Sequence, residues 1–218
     1  MGLTVSASGN SSTFKSVPPG MHLARCYRII DMGTQPTNWK GKVGAQPKVM
    51  IQFEVHSEDA EGNALVTDKG EPMSISKNFT ASLADKAILR QELENWRSRA
   101  FTVDELAGFQ LKNVLGAWAM LSIVKEKGND GNDYTNISSI NPVSSQIKKA
   151  GLPTPHNELK IFDLDNPDMA LFETFGNKTK EKIQNTPEWK ERDNVKYQKE
   201  QNASANSGFD DMADDIPF

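Results

Sequence analysis

The sequence reads as mainly β: a five-stranded, barrel-like sheet with one inserted helix, a short C-terminal helical segment and an acidic tail. Apolar residues alternate with period two in five short stretches. Clusters rich in glycine, proline and asparagine punctuate the chain between them. The alternation gives way once to helical spacing, between the third stretch and the fourth.

The first strand runs from Gly20 to Gly33, with Met21, Leu23, Arg25, Tyr27 and Ile29 on one face. A polar connector follows, Thr34 to Lys48. The second strand, Lys48 to His56, sets Val49, Ile51, Phe53 and Val55 against Lys48, Gln52 and Glu54. A turn-rich acidic stretch leads to a third strand through Met73, Ile75, Lys77 and Phe79. Ser82 then suits a helix N-cap with Asp85 three residues on, and Leu83, Ile88, Leu89, Leu93 and Trp96 fall at helical spacing. Thr102 and Glu105 form a second capping pair. Period two returns over Leu111 to Glu126, and the run from Lys127 to Asp133 is a strong turn signal before a fifth strand, Tyr134 to Ile140. This β-β-β-α-β-β order is that of an OB-fold. Residues 142–198 read as a proline-bearing linker and short helices, with Pro167 and Pro187 at first-turn positions. Residues 1–19 read as a flexible lead and 199–209 as a disordered spacer.

Composition removes several classes of function. Cys26 is the single cysteine of 218 residues, and His22, His56 and His156 lie far apart, so disulfide frameworks and Cys- or His-based metal sites are not expected. No apolar run approaches the ~20 residues of a membrane span, and the first residues lack a signal-peptide core, so a cytoplasmic protein is expected. Trp96 and Trp118 fall on apolar periodic faces and read as core.

The net charge of -4 speaks against a uniformly basic nucleic-acid binder, but it is unevenly laid out. Residues 1–50 carry +5, residues 51–73 carry -5, and the last fifteen carry only Asp210, Asp211, Asp214 and Asp215. Residues 1–203 are neutral overall, so the tail holds the whole excess. It closes on Ile216, Pro217 and Phe218. Two large apolar side chains on an acidic tether suit capture by an apolar pocket with a basic rim.

Asp214-Asp215-Ile216-Pro217-Phe218 resembles the acidic tip of bacterial single-stranded DNA-binding proteins, and the Asn/Ser-rich spacer before it is similar too. The body resembles, in architecture, the divergent single-stranded DNA-binding proteins of tailed phages. The resemblance implies binding of single-stranded DNA without sequence readout, in a bacterial host's cytoplasm. It also implies recruitment of replication and recombination enzymes by the tip. If the chain self-associates, a dimer is favoured over a tetramer.

Holding single strands takes cations for phosphates and aromatic faces for bases. The connector offers Trp39 beside Lys40 and Lys42, with Lys48 at its end; stacking on a base and simple loop anchoring both fit Trp39. Arg25, Tyr27, Lys77, Lys112, Lys125, Lys127 and Tyr134 are further candidates, Lys125 and Lys127 flanking the turn between strands four and five. Asp163, Asp165 and Asp168 could suggest magnesium, but no general base or lysine accompanies them in a recognisable spacing. No catalytic activity, cofactor or metal is expected. Two other readings stay open: a recombination mediator or annealing protein, and an interaction module that carries the tip and ignores DNA.

Overall fold

The computed structural model describes residues 16–128 and 131–194. Residues 1–15 of the N-terminal lead, the spacer and the Asp210–Phe218 tip lie outside the described residues; the end of the lead is not flexible as expected, since Val17 is buried in the core. Six strands form one sheet: β1 (Gly20–Trp39), β2 (Lys42–Val55), β3 (Ser74–Thr80), β4 (Trp118–Lys127), β5 (Asp133–Asn141) and β6 (Lys160–Phe162). The path is β3-β2-β1-β4-β5, antiparallel throughout, with β6 added in parallel to β1. Helices α1 (Ile88–Arg97) and α2 (Val103–Gly108) fall between β3 and β4, and α3 (Ser145–Ala150) follows β5. Helices α4 (Met169–Glu173) and α5 (Asn177–Gln184) follow β6, and residues 187–194 are helical as well.

Twenty residues make β1 long enough to serve two partners. Gly20 to Arg25 pairs with β4, and the stretch from Ala24 to Trp39 pairs with β2. Register shifts at Cys26/Arg28 and Asp31/Gly33 bend it between them. Tyr27 is the extra residue of the first bulge, so the alternation that would set it on Arg25's face fails there.

Each face of the sheet buries its own core. On the inner face Cys26, Ile51, Phe53, Leu121 and Ile140 pack under Leu89, Leu93 and Trp96. Phe53 and Trp96 meet at 5.5 Å between ring centroids, and Trp96 Nε1 donates to the Trp118 carbonyl at 2.8 Å. Trp118 itself is half-buried, less enclosed than the core position its period implies. Burial pushes the Cys26 thiol up to about 12, which makes it an inert packing group. On the outer face Ile30, Met32 and Met50 disappear beneath Phe162, Phe172, Phe175, Ile183 and Trp189.

The ends of the path, β3 and β5, are joined by side chains rather than by a ladder. Glu92 of α1 accepts from Lys77 of β3 through Oε1 and from the Ile140 N–H of β5 through Oε2, at 2.8 Å. Lys77 also reaches the Ser138 carbonyl at 3.2 Å. The sheet is therefore open along this seam, and α1 fills it.

Several expectations need correcting. The connector is not a loop: β1 and β2 continue as a paired ribbon to Trp39 and Lys42. Leu111–Val114 is a 3-10 turn, because Gly116 at φ +83° turns the chain before β4 begins at Trp118. Ser82 does not cap α1; the helix starts later, after Ala87, while the Ser82 hydroxyl accepts from the Ala84 N–H. Thr102 and Glu105 do make the reciprocal capping box. Pro187 opens its helix, with Thr186 Oγ1 accepting from the Trp189 N–H. Pro167 sits one place before the cap of α4, which is Asp168. Residues 142–194 are no loose appendage, since β6 joins the sheet and the helices after it cover β1 and β2.

Gly33 shows how closely that cover is fitted. Its φ is +62°, and an added Cβ would stand 2.8 Å from both Leu164 Cδ1 and Thr186 Cγ2. Gly33→Ala combines a left-handed backbone with overpacking, for about 1–3 kcal/mol. A drop of several degrees in the thermal midpoint is expected by calorimetry; an unchanged midpoint would show that the cover can yield.

Candidate nucleic-acid interface

From Gly33↔Lys48 to Trp39↔Lys42 the ribbon holds seven residue pairs, a projection of roughly 20 Å at ~3.3 Å per residue. Residues 41–47 are all exposed, Val43 at 82%. No burial period can arise in a ribbon with no core beneath it. Its turn is Lys40-Gly41, at φ 50° and 80°, the two consecutive positive values of a type I′ hairpin. Glycine takes the second position without strain, and Lys40 is thereby held at the tip.

The ribbon carries Lys40, Lys42 and Lys48 and, from Thr34 to Lys48, no carboxylate. Its root is clamped by the C-terminal helices. Glu188 accepts from the Thr34 N–H at 3.1 Å and from the Thr34 hydroxyl at 2.5 Å. Burial works against the charge of Glu188, but the bonds from Thr34 outweigh it and hold the carboxyl below its ordinary range. Gln35 Nε2 donates to the Met32 and Lys182 carbonyls, at 2.6 and 3.0 Å.

The other candidates divide clearly. Lys40 and Lys42 are exposed at the tip; the Trp39 backbone pairs with Lys42, while its side chain lies outside the described residues. Lys48, half-buried at the root, donates to Gln46 and Thr80. It shares a cleft of about 370 Å³ with Lys112, Leu111 and Ile161. Lys125 and Lys127 are exposed on the β4–β5 hairpin, where Lys125 pairs with Asp133 at 2.8 Å and Tyr134 is 48% exposed. That hairpin leaves beyond Gly20, the opposite end of β1 from the ribbon.

Three candidates are not available to a ligand. Arg25 is buried and spends Nη1 on Glu54 and on the Asn157 carbonyl, at 3.0 and 3.1 Å. Tyr27 is buried in its bulge. Lys77 is committed to Glu92 at the seam. Two carboxylates of the acidic trio bond to nearby backbone: Asp163 Oδ1 accepts from the Asp165 N–H, and Asp168 caps α4.

Two lysines went unnoticed in the sequence. Lys178 and Lys182, one turn apart on α5, line a cleft of about 690 Å³ with Lys48 and Asn78. The i, i+4 spacing is the signal that would have found them, once 177–184 is recognised as helix. No family model matches the chain, and no curated protein matches it.

Proposed function

We propose that the protein binds single-stranded DNA without sequence specificity and recruits replication and recombination enzymes through residues 210–218. The observation that carries this reading is the projecting ribbon: three lysines, a tryptophan and no carboxylate on an exposed two-stranded arm. Cations on such an arm meet phosphates, and an aromatic face stacks on any base, so neither contact reads sequence. We read the open strand path, with α1 laid across its seam, as an OB-like arrangement. In that fold the β1–β2 and β4–β5 connections contact oligonucleotides. Here they are the ribbon and the hairpin of Lys125 and Lys127. The role in this reading is sequestration and scaffolding.

Fluorescence anisotropy with a labelled oligo-dT is the test. Binding should weaken with salt, with a log–log slope of about -0.7 per phosphate contact. No binding at 50 mM salt overturns the reading. Deleting residues 210–218 should abolish capture of the partner enzymes in pull-down while oligo-dT affinity holds or rises, because a competing anion is removed. A collapse of affinity would give the tail a different role.

A further inference from the structure

We infer that the single strand continues from the ribbon into the cleft between β3 and α5, where Lys178 and Lys182 hold its phosphates. The inference rests on the DNA-binding reading and extends it to a helix outside the five-stranded body. Four observations carry it.

First, the cleft is continuous with the ribbon. Met32, Gln35, Pro36 and Lys48, all at the ribbon's root, form one wall. A strand lying along the ribbon reaches this wall without leaving the protein surface. Second, the cleft's charge favours an anion. Lys48, Lys178 and Lys182 face Glu181 alone among its lining carboxylates, a local net of +2. Among the described residues neither Lys178 nor Lys182 forms an ion pair, whereas Lys180, on the same helix, is taken by Glu173. Lysines brought together in a concave surface repel one another and gain when an anion enters.

Third, the remaining lining is neutral and suited to a nucleotide. Asn78 and Asn185 offer amides, and the exposed Pro36 ring offers apolar surface against which a base can rest. The volume of about 690 Å³ lies within the range of small-molecule sites. Fourth, the wall is rigid. Gln35 bridges to the Lys182 carbonyl, and Glu188 clamps Thr34, so α5 and the ribbon's root hold one geometry. A site whose walls are fixed before binding loses little entropy on binding.

The experiment uses the full chain and three double variants. These are Lys178→Gln/Lys182→Gln, Lys40→Gln/Lys42→Gln on the ribbon, and Lys148→Gln/Lys149→Gln on α3 as the control. Both α5 lysines are exposed, so the substitution leaves the fold intact, which circular dichroism checks. Anisotropy with fluorescein-labelled dT20 is followed from 50 to 400 mM salt. Two phosphate contacts predict a slope shallower by about 1.4 and, at 0.1 M salt, an affinity lower by about 25-fold for the α5 variant, with the α3 control unchanged. Acetylation footprinting gives a second readout: Lys178 and Lys182 of the wild type should lose reactivity when dT20 is bound. If the ribbon variant weakens while the α5 variant keeps the wild-type slope and its lysines stay reactive, the inference is overturned and the DNA-binding reading stands. If the wild type ignores dT20, both fall together.

Discussion

Trp39→Ala combined with Lys40→Gln and Lys42→Gln is expected to weaken oligo-dT binding more than ~100-fold at 0.1 M salt. A stacked base contributes about 1–3 kcal/mol, and two phosphate contacts contribute about 25-fold at that salt. The fold should be indifferent, because Lys40 and Lys42 are exposed and the turn's geometry depends on Gly41, which is kept. Trp39→Phe alone should restore most of the stacking term, since a phenyl ring still presents a face. A triple variant within five-fold of wild type would remove the ribbon from the binding site. A Trp39→Phe variant as weak as Trp39→Ala would mean that the ring anchors the ribbon rather than a base.

The largest effect on stability is expected at Glu54. Its carboxylate is fully buried and gathers Arg25 from β1 and both the backbone N–H and side-chain amide of Asn157, each of the latter at 2.7 Å. His56 Nε2 lies 3.2 Å away. Glu54→Ala would leave the Arg25 guanidinium buried without its partner, a loss of about 3–5 kcal/mol. Urea denaturation should show this as a lower midpoint, and a change under 1 kcal/mol would contradict the account.

The same site sets a pH dependence. Burial alone would raise the Glu54 carboxyl, but the bonds from Asn157, Arg25 and His56 outweigh it and hold the group below its usual value of 4.5. A depressed acid stabilises the fold above its unfolded value, and that contribution is lost as the pH falls through the folded one. Wild-type stability should therefore drop below about pH 4.5, and Glu54→Gln should flatten that part of the curve.

What the sequence revealed depended on whether burial left a period. β2 and β4 alternate because one side faces the inner core, and α1 shows its apolar stripe because Leu89, Leu93 and Trp96 cover that core. The ribbon has no such constraint, so Pro36, Gly41, Gly44 and Pro47 suggested a loop although the residues between them pair regularly. Arg25 looked like a surface cation because its partner, Glu54, lies 29 residues away on another strand. Lys178 and Lys182 were invisible as a site because their cleft is completed by Lys48 and Asn78, more than 90 residues earlier. The aromatic cluster of Phe162, Phe172 and Trp189 was legible as something to bury, but not as the roof of β1 and β2.

That roof has a consequence during synthesis. Arg28 pairs with Lys160, 132 positions along the chain, and Ile30 and Met50 are sealed only when Trp189 has emerged. At ~5–20 residues per second, roughly 7–27 s separate completion of β2 from completion of its cover. Through that interval the nascent sheet offers water an apolar outer surface and β1 an unfilled parallel position. A chain that stops short of residue 160 keeps both permanently, so truncations there should aggregate rather than yield a smaller working domain.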